Sequence, residues 1–176
     1  MPQATANPQP RILLVKTSSL GDLIHSFPAL TDAARAIPGV EFHWLVEEAF
    51  AEVPAWHPAV SKVIPIALRR WRRSWRAAWR KGELSAFKRS LQAHEYDLVI
   101  DAQGLLKSAI PAWMAHGVSA GYDRSSIREP LASRLYQRCF RVSRDLHAIE
   151  RIRRLFAEAL EYTPVIAEPD YGLGLE

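Results

Sequence analysis

The sequence predicts an α/β fold built on a parallel, doubly wound sheet. Short apolar runs alternate along the chain with amphipathic stretches whose apolar residues recur at helical spacing. The first apolar run, 12–15, ends in a polar turn, 17–22, that holds two serines, a glycine and a carboxylate. Because ligands collect where such turns leave the carboxyl ends of parallel strands, we expect this turn to border the functional site.

The composition is that of one soluble globular domain. The chain has 176 residues, of which 48% are hydrophobic and 24% charged, enough for a sizeable core. A single cysteine, Cys139, excludes an internal disulfide and favours a reducing compartment. No apolar run is long enough to span a bilayer. Residues 1–10 lack the apolar segment of a signal peptide and are predicted to be a disordered leader.

Each element is predicted from its apolar period and its flanking breakers. Strands are expected at 11–16, 40–46, 62–66, 96–101 and 118–121, with the first central. Pro65 in the third suggests either an edge strand or the end of a strand. Helices are expected at 22–37, 47–56, 69–81, 83–94, 105–116 and 147–162, with another opened by Pro130. Pro28 predicts a kink in the first helix or a regular part that begins near Ser26. Residues 163–176 show no core pattern and are predicted to begin a linker.

A basic block at 69–81 dominates the charge pattern. It holds six arginines and Lys81 without an acid, so it carries +7 while the whole chain carries +4 and the remainder −3. Trp71, Trp75 and Trp79 recur every four residues beside an arginine stripe. A solvated face is the simplest interpretation. The preference for arginine favours phosphate or carboxylate recognition, and the tryptophans suit a membrane interface or base stacking.

The carboxylate in the turn at 17–22 has two interpretations. Asp22 is of a type preferred at a helix N-cap, and it is also placed to act as a general base at the mouth of the sheet. Asp101 and Gln103, at the end of the fourth predicted strand, either form a turn or line the same site, and His25 either packs or lines it. The turn has neither glycine-rich nucleotide fingerprint, and the histidines show no zinc spacing, so no metal or cofactor is expected.

Several motifs occur together in one order: KTSSLGDLIHSFPALTDA, WLVEEAF, VIPIALRRWRRSW, DLVIDAQGLLKSA and REPLAS. Together they resemble the lipopolysaccharide heptosyltransferase I members of glycosyltransferase family 9, from about residue 11 to residue 171. The resemblance implies the Rossmann-like N-terminal domain of a two-domain GT-B glycosyltransferase. Residues 11–162 would be the acceptor-binding domain and 163–176 the start of the interdomain linker, with the donor-binding C-terminal domain outside this sequence.

The resemblance also implies a reaction and roles for single residues. The enzyme would transfer heptose from ADP-heptose to Kdo-lipid A with inversion, and this half alone would be inactive. Asp22 matches the family's catalytic aspartate, and the acceptor-binding arginines match Arg69, Arg70, Arg72, Arg73 and Arg128. Ser19, Gly21, His25, Asp101 and Gln103 are expected only to line the site.

The implied setting is the cytoplasmic face of the inner membrane, with peripheral contact to its anionic surface and no nucleic acid as partner. Two alternatives remain open from the residues. One is a nucleic-acid-binding domain that uses the arginine and tryptophan block, which the net negative remainder disfavours. The other is a different nucleotide-sugar enzyme on the same fold.

Overall fold

A computed structural model describes residues 9–174, and these form the predicted parallel sheet. Its strands are β1 (Arg11–Val15), β2 (Glu41–Glu47), β3 (Val60–Ile66), β4 (Glu95–Asp101), β5 (His116–Tyr122) and β6 (Arg138–Phe140). They lie in the order β3-β2-β1-β4-β5-β6, and every neighbouring pair is parallel. This is the doubly wound order in which the chain reverses direction across the sheet between β1 and β4.

Helices cover both faces of the sheet. They are α1 (Leu20–Ile24), α2 (Phe27–Ala36), α3 (Leu68–Arg73), α4 (Trp75–Arg80), α5 (Glu83–Leu91), α6 (Leu106–Met114) and α7 (Ala148–Leu160). β1 shows why two layers form, because its side chains alternate between two cores. Ile12 and Leu14 pack in the core under α2 and α7, whereas Leu13 and Val15 pack in the core under α5 and α6. The predicted central position of β1 is confirmed, and β3 lies at an edge, one of the two alternatives that Pro65 suggested.

The first predicted helix is divided where Pro28 indicated. α1 ends before His25, and α2 starts afresh at Phe27 with the proline in its first turn, where a missing amide costs nothing. The helix predicted at 47–56 is wrong. Glu47 closes β2, and two short 3₁₀ turns, Glu48–Phe50 and Pro54–Trp56, follow it. Pro54 interrupts any longer helix there.

The basic block is two short helices instead of the single predicted helix. α3 and α4 meet at Ser74, whose φ of −150° and ψ of 53° break the helical path. The predicted tryptophan stripe is therefore divided. Trp71 is half-buried against Phe87, while Trp75 and Trp79 are 60% and 68% exposed.

The stretch after β5 also differs from its prediction. Pro130 precedes only a 3₁₀ turn, Ala132–Leu135, and the three-residue strand β6 follows, which the sequence pattern did not indicate. A strand this short leaves too few residues for an alternating pattern to be recognised.

Residues 163–174, which were predicted to begin a linker, contain no helix or strand, and they contact the domain. The buried pair Arg153–Asp32, at 2.7 Å, joins α7 to α2, and Arg153 also donates to the carbonyl of Ala167 at 3.0 Å. Asp170 pairs with Arg35. Of the predicted leader, residues 1–8 lie outside the described part of the chain, and the carbonyl of Pro10 accepts from the amide of Glu41. No helix within residues 9–174 combines the length and apolarity needed to cross a membrane.

Candidate active site at the switch point of the sheet

A cleft of about 130 Å³ opens at the carboxyl edge of the sheet, beside the point where the strand order reverses. Parallel α/β sheets bind ligands in this position because the loops on either side of the switch point diverge. The cleft is lined by residues that follow β1, β4 and β5 and by the first turns of α7. These residues are Lys16, Asp22, Ala102, Gln103, Tyr122, Arg128, Ala148, Arg151 and Ile152.

Asp22 lies in the third position of α1, and Ser19 occupies the N-cap. The predicted N-cap role of Asp22 is therefore wrong by three residues, although its carboxylate still serves the helix start. Oδ2 accepts from the backbone amide and from Oγ of Ser19, both at 2.9 Å. Partial burial acts to raise the pKa of Asp22, but these hydrogen bonds and the charge of Lys16 outweigh it, so the pKa lies below its ordinary value. Asp22 is thus ionised at neutral pH.

Lys16, the residue after β1, lines the same cleft and is 7% exposed. Its Nζ donates to the carbonyl of Ala102 at 3.2 Å. Burial lowers the pKa of Lys16, and the charges of Asp22 and Asp101 act in the opposite direction. Gln103 fixes the adjoining turn, because its Oε1 accepts from the amides of Thr17 and Ser18 at 3.1 and 3.4 Å.

Two arginines complete the charge of the cleft. Arg151 lies on α7 with its guanidinium 4.7 Å from the centre of the Tyr122 ring, and its Nη2 donates to the carbonyl of Ser126 at 2.6 Å. Arg128 is exposed on the loop after β5. That loop is held against the start of α6, because the carboxylate of Glu129 accepts a hydrogen bond from the amide of Leu106 at 2.7 Å. Three cationic side chains from three separate segments therefore line the same cleft as the Asp22 carboxylate.

Asp101 does not line the cleft, which corrects its predicted role. It is completely buried and accepts from Tyr136 Oη at 2.6 Å, from Ser108 Oγ at 2.8 Å and from the amides of Gln103 and Gly104. Burial raises its pKa against these hydrogen bonds. Asp101 is a structural anchor that joins β4, α6 and the segment before β6.

The remaining lining candidates lie around α1 without forming the cleft wall. Ser19 contacts the Asp22 carboxylate, and Gly21 is exposed on α1. His25 packs edge-on against His147, with the ring centres 5.8 Å apart. Among the predicted site residues, the structure brings together Asp22, Gln103 and Arg128.

The four arginines of the basic block form a separate group on α3. Arg69, Arg72 and Arg73 surround an exposed depression, and Arg69 lies 5.3 Å from the centre of the Phe50 ring. Arg70 differs from them, because it pairs with both Glu48 and Glu83. The block contains no acid of its own, as the sequence shows, but Arg70 is nevertheless paired with two acids. The acids come from elements that precede and follow the block.

Lys16 and Arg151 were not predicted from the sequence. Lys16 looked like the polar end of a strand, and Arg151 like one charge on an amphipathic helix. Their positions relative to Asp22 depend on the strand order, which local patterns do not specify. In the described residues no cluster of three or more histidine, cysteine or acidic side chains is arranged to hold a metal ion.

The fold and cleft define a class of protein, the Rossmann-like α/β domain with a polar site at the switch point. The family model for glycosyltransferase family 9 (heptosyltransferase) matches residues 84–176. The chain belongs to this family.

Characterised relatives agree with that family. Lipopolysaccharide heptosyltransferase 1 of Pseudomonas aeruginosa is 59% identical over 94% of this chain, and the Escherichia coli protein of the same name is 53% identical over 93%. The structure of the E. coli heptosyltransferase WaaC with ADP superposes with a TM-score of 0.90 at 53% identity. These matches cover 47%, 51% and 51% of the relatives, so the chain spans about half their length. The E. coli heptosyltransferase II structure, 16% identical with a TM-score of 0.63, shares the fold.

Proposed function

We propose that this chain is the acceptor-binding half of an inverting heptosyltransferase that extends lipopolysaccharide. The observation that carries the proposal is Asp22, an ionised carboxylate that lines the cleft together with three cationic side chains. A carboxylate in this position is suited to receive a proton from a bound hydroxyl group. The relatives named for lipopolysaccharide heptose transfer support the choice of reaction.

In the proposed reaction the acceptor is Kdo-lipid A and the donor is ADP-heptose. A hydroxyl oxygen of the Kdo sugar attacks the anomeric carbon of heptose while the bond from that carbon to the ADP oxygen breaks. The hydroxyl proton passes to Asp22, ADP leaves with the bonding electrons, and the anomeric configuration inverts. Arg128, at the same cleft, is proposed to bind an acceptor carboxylate, since guanidinium groups bind carboxylates through paired hydrogen bonds.

The α3 arginines are proposed to bind the phosphates of the same acceptor. Arg69, Arg72 and Arg73 are exposed and surround one depression, which suits a ligand with several anionic groups. Arg70 is assigned a smaller part, because Glu48 and Glu83 occupy its guanidinium. Peripheral contact with the cytoplasmic face of the inner membrane follows from the lipid nature of this acceptor.

The donor is proposed to bind mainly to a part of the full-length protein that lies beyond these 176 residues. The sequence has no glycine-rich phosphate loop of either common type, and the E. coli WaaC structures with ADP and with an ADP-heptose analogue are about twice as long as this chain. This chain alone is therefore expected not to transfer heptose.

The test is a transfer assay with a full-length protein that contains these residues. Purified protein, ADP-heptose and Kdo-lipid A should give a heptosylated glycolipid and free ADP. Absence of the glycolipid product, with the donor intact and the protein folded, would contradict the proposal.

A further inference from the structure

An apolar groove lies next to the α3 arginines and has no part in the chemistry proposed above. It has a volume of about 580 Å³, within the range of small-molecule sites. Its walls come from the end of β3 and from α3, α5 and α6. The lining residues are Ile66, Leu68, Trp71, Arg72, Leu84, Phe87, Lys107, Ile110, Pro111 and Met114.

The groove is open and unusually apolar for a surface. Ile110 is 47% exposed, and the neighbouring Trp113 on α6 is 63% exposed. A large apolar patch left in contact with water marks a site that binds a protein, a membrane or a ligand. Arg72 and Lys107 are its charged lining residues, so its polar rim is cationic. The occupant that fits is an apolar chain attached to an anionic head.

Arg72 connects this groove with the depression formed by the α3 arginines. It lines both, with Arg69 and Arg73 on one side and Trp71 and Leu68 on the other. A single ligand can therefore place its anionic groups against the arginines and an apolar tail in the groove. A free anion would leave the groove empty, and a neutral apolar molecule would leave the arginines without a partner.

We propose that the groove binds an acyl chain of the acceptor glycolipid. The proposal rests on the proposed function, because it assigns the acceptor's phosphates to the same arginines. Trp75 and Trp79, exposed on α4, would lie at the level of the lipid headgroups, where tryptophan is favoured. The acyl chain would thus leave the bilayer surface beside α4 and enter the groove between α3 and α6.

The test compares acceptor binding with and without acyl chains, in a full-length protein. Dissociation constants are measured for Kdo-lipid A carried in phosphatidylcholine vesicles and for its soluble, fully deacylated counterpart. Ile110→Asp places a carboxylate in the groove, and Ile110→Trp narrows the groove without adding charge. Ile166→Asp is the matched control, because Ile166 is 98% exposed and lies outside the groove.

We expect both Ile110 variants to weaken binding of the acylated acceptor about 10-fold or more, because burying a carboxylate against an acyl chain is costly and an indole takes up part of the space for the chain. Both variants should leave binding of the deacylated acceptor unaffected, and Ile166→Asp should change neither. Equal loss for both acceptors, or no loss for either, would overturn the proposal. A large fall in the melting temperature of Ile110→Asp would also overturn the proposal, because it would show that another part of the full-length protein already packs against Ile110 in the groove.

Two further arms separate this proposal from others. Phosphatidylglycerol vesicles without acceptor should bind the wild type and Ile110→Asp alike. A loss there equal to that for Kdo-lipid A would assign the groove to general membrane contact and contradict the proposal. Dissociation constants are measured without donor, and heptose transfer is assayed separately. If the acylated acceptor binds through Ile110 but receives no heptose in the transfer assay, the result contradicts the proposed function and leaves the groove proposal intact. Transfer to both acceptors with equal dissociation constants contradicts the groove alone.

Discussion

The cleft at the switch point and the α3 arginines both present cations at the carboxyl edge of the sheet, but they hold them differently. In the cleft, Lys16 is buried and Arg151 is fixed by Tyr122 and Ser126, so these two cationic charges have set positions. On α3, Arg72 and Arg73 are exposed on a six-residue helix. Fixed charges suit a group that must meet a reacting atom, and exposed charges suit a large anionic ligand.

The largest expected effect is at the cleft. Asp22→Asn keeps the shape of the side chain and leaves an oxygen to accept from Ser19, but it cannot take up a proton at neutral pH. Heptose transfer by the full-length protein should fall by roughly 10²–10⁴-fold while its melting temperature is nearly unchanged. Initial rates and a thermal melt measure both. Near-normal turnover would contradict the assignment of Asp22 as the base. A large loss of stability would show instead that Asp22 serves to stabilise the start of α1.

The second largest effect is expected on acceptor binding by the arginines of α3. Replacing Arg69, Arg72 and Arg73 together by alanine should weaken acceptor binding by about 10-fold or more, because charge-assisted hydrogen bonds are each worth about 1.5–3 kcal/mol. The loss should shrink at high salt, since exposed charges are screened beyond about 8 Å at physiological ionic strength.

Arg70→Ala is the matched control on the same helix. Its guanidinium already pairs with Glu48 and Glu83, so its removal should affect acceptor binding far less. Equal losses in the triple variant and in Arg70→Ala would contradict the distinction between exposed arginines that bind the acceptor and an arginine that is already paired.

A third effect separates stability from function at Asp101. Asp101→Asn puts an NH₂ group among four donors, and at least one buried donor then loses its acceptor. The free energy of unfolding should fall by about 1–3 kcal/mol. That corresponds to a melting temperature lower by several degrees. Turnover per folded molecule should be retained below the transition, and its loss would return Asp101 to the active site.

The smallest effect concerns the electrostatic link between Lys16 and Asp22. Lys16→Met removes the buried cation that helps to lower the pKa of Asp22, so that pKa should rise. The acid limb of kcat/KM in the full-length protein should then move upward by about one pH unit or less. Because burial lowers the pKa of Lys16 in the folded state, its charge destabilises the fold at pH values below that lowered pKa. This cost is relieved as the pH rises from the lowered pKa to the ordinary pKa of lysine. The melting temperature of Lys16→Met at neutral pH should therefore not fall. An unchanged acid limb would contradict the link.

The sequence predicts the sheet well, and physical reasons explain what it misses. The apolar runs and intervening helices are encoded locally, and Pro28 and Pro65 act within a few residues of their position. The break at Ser74 and the strand β6 are too short to leave a period. Among the site residues, Asp22 and Gln103 could be placed from their positions after strands. Lys16 and Arg151 required the tertiary structure, as did the pairing of Arg70 with Glu48 and Glu83, because these partners are distant in the sequence.

The most direct test of the central claim, that these residues carry the acceptor site, is calorimetry on the 176-residue chain itself. The chain is titrated with the soluble, deacylated Kdo-bearing acceptor and, in parallel, with ADP-heptose. We predict heat of binding with the acceptor, reduced in the Arg69, Arg72 and Arg73 triple variant, and none with ADP-heptose. Binding of ADP-heptose together with no binding of acceptor by the folded chain would contradict the claim.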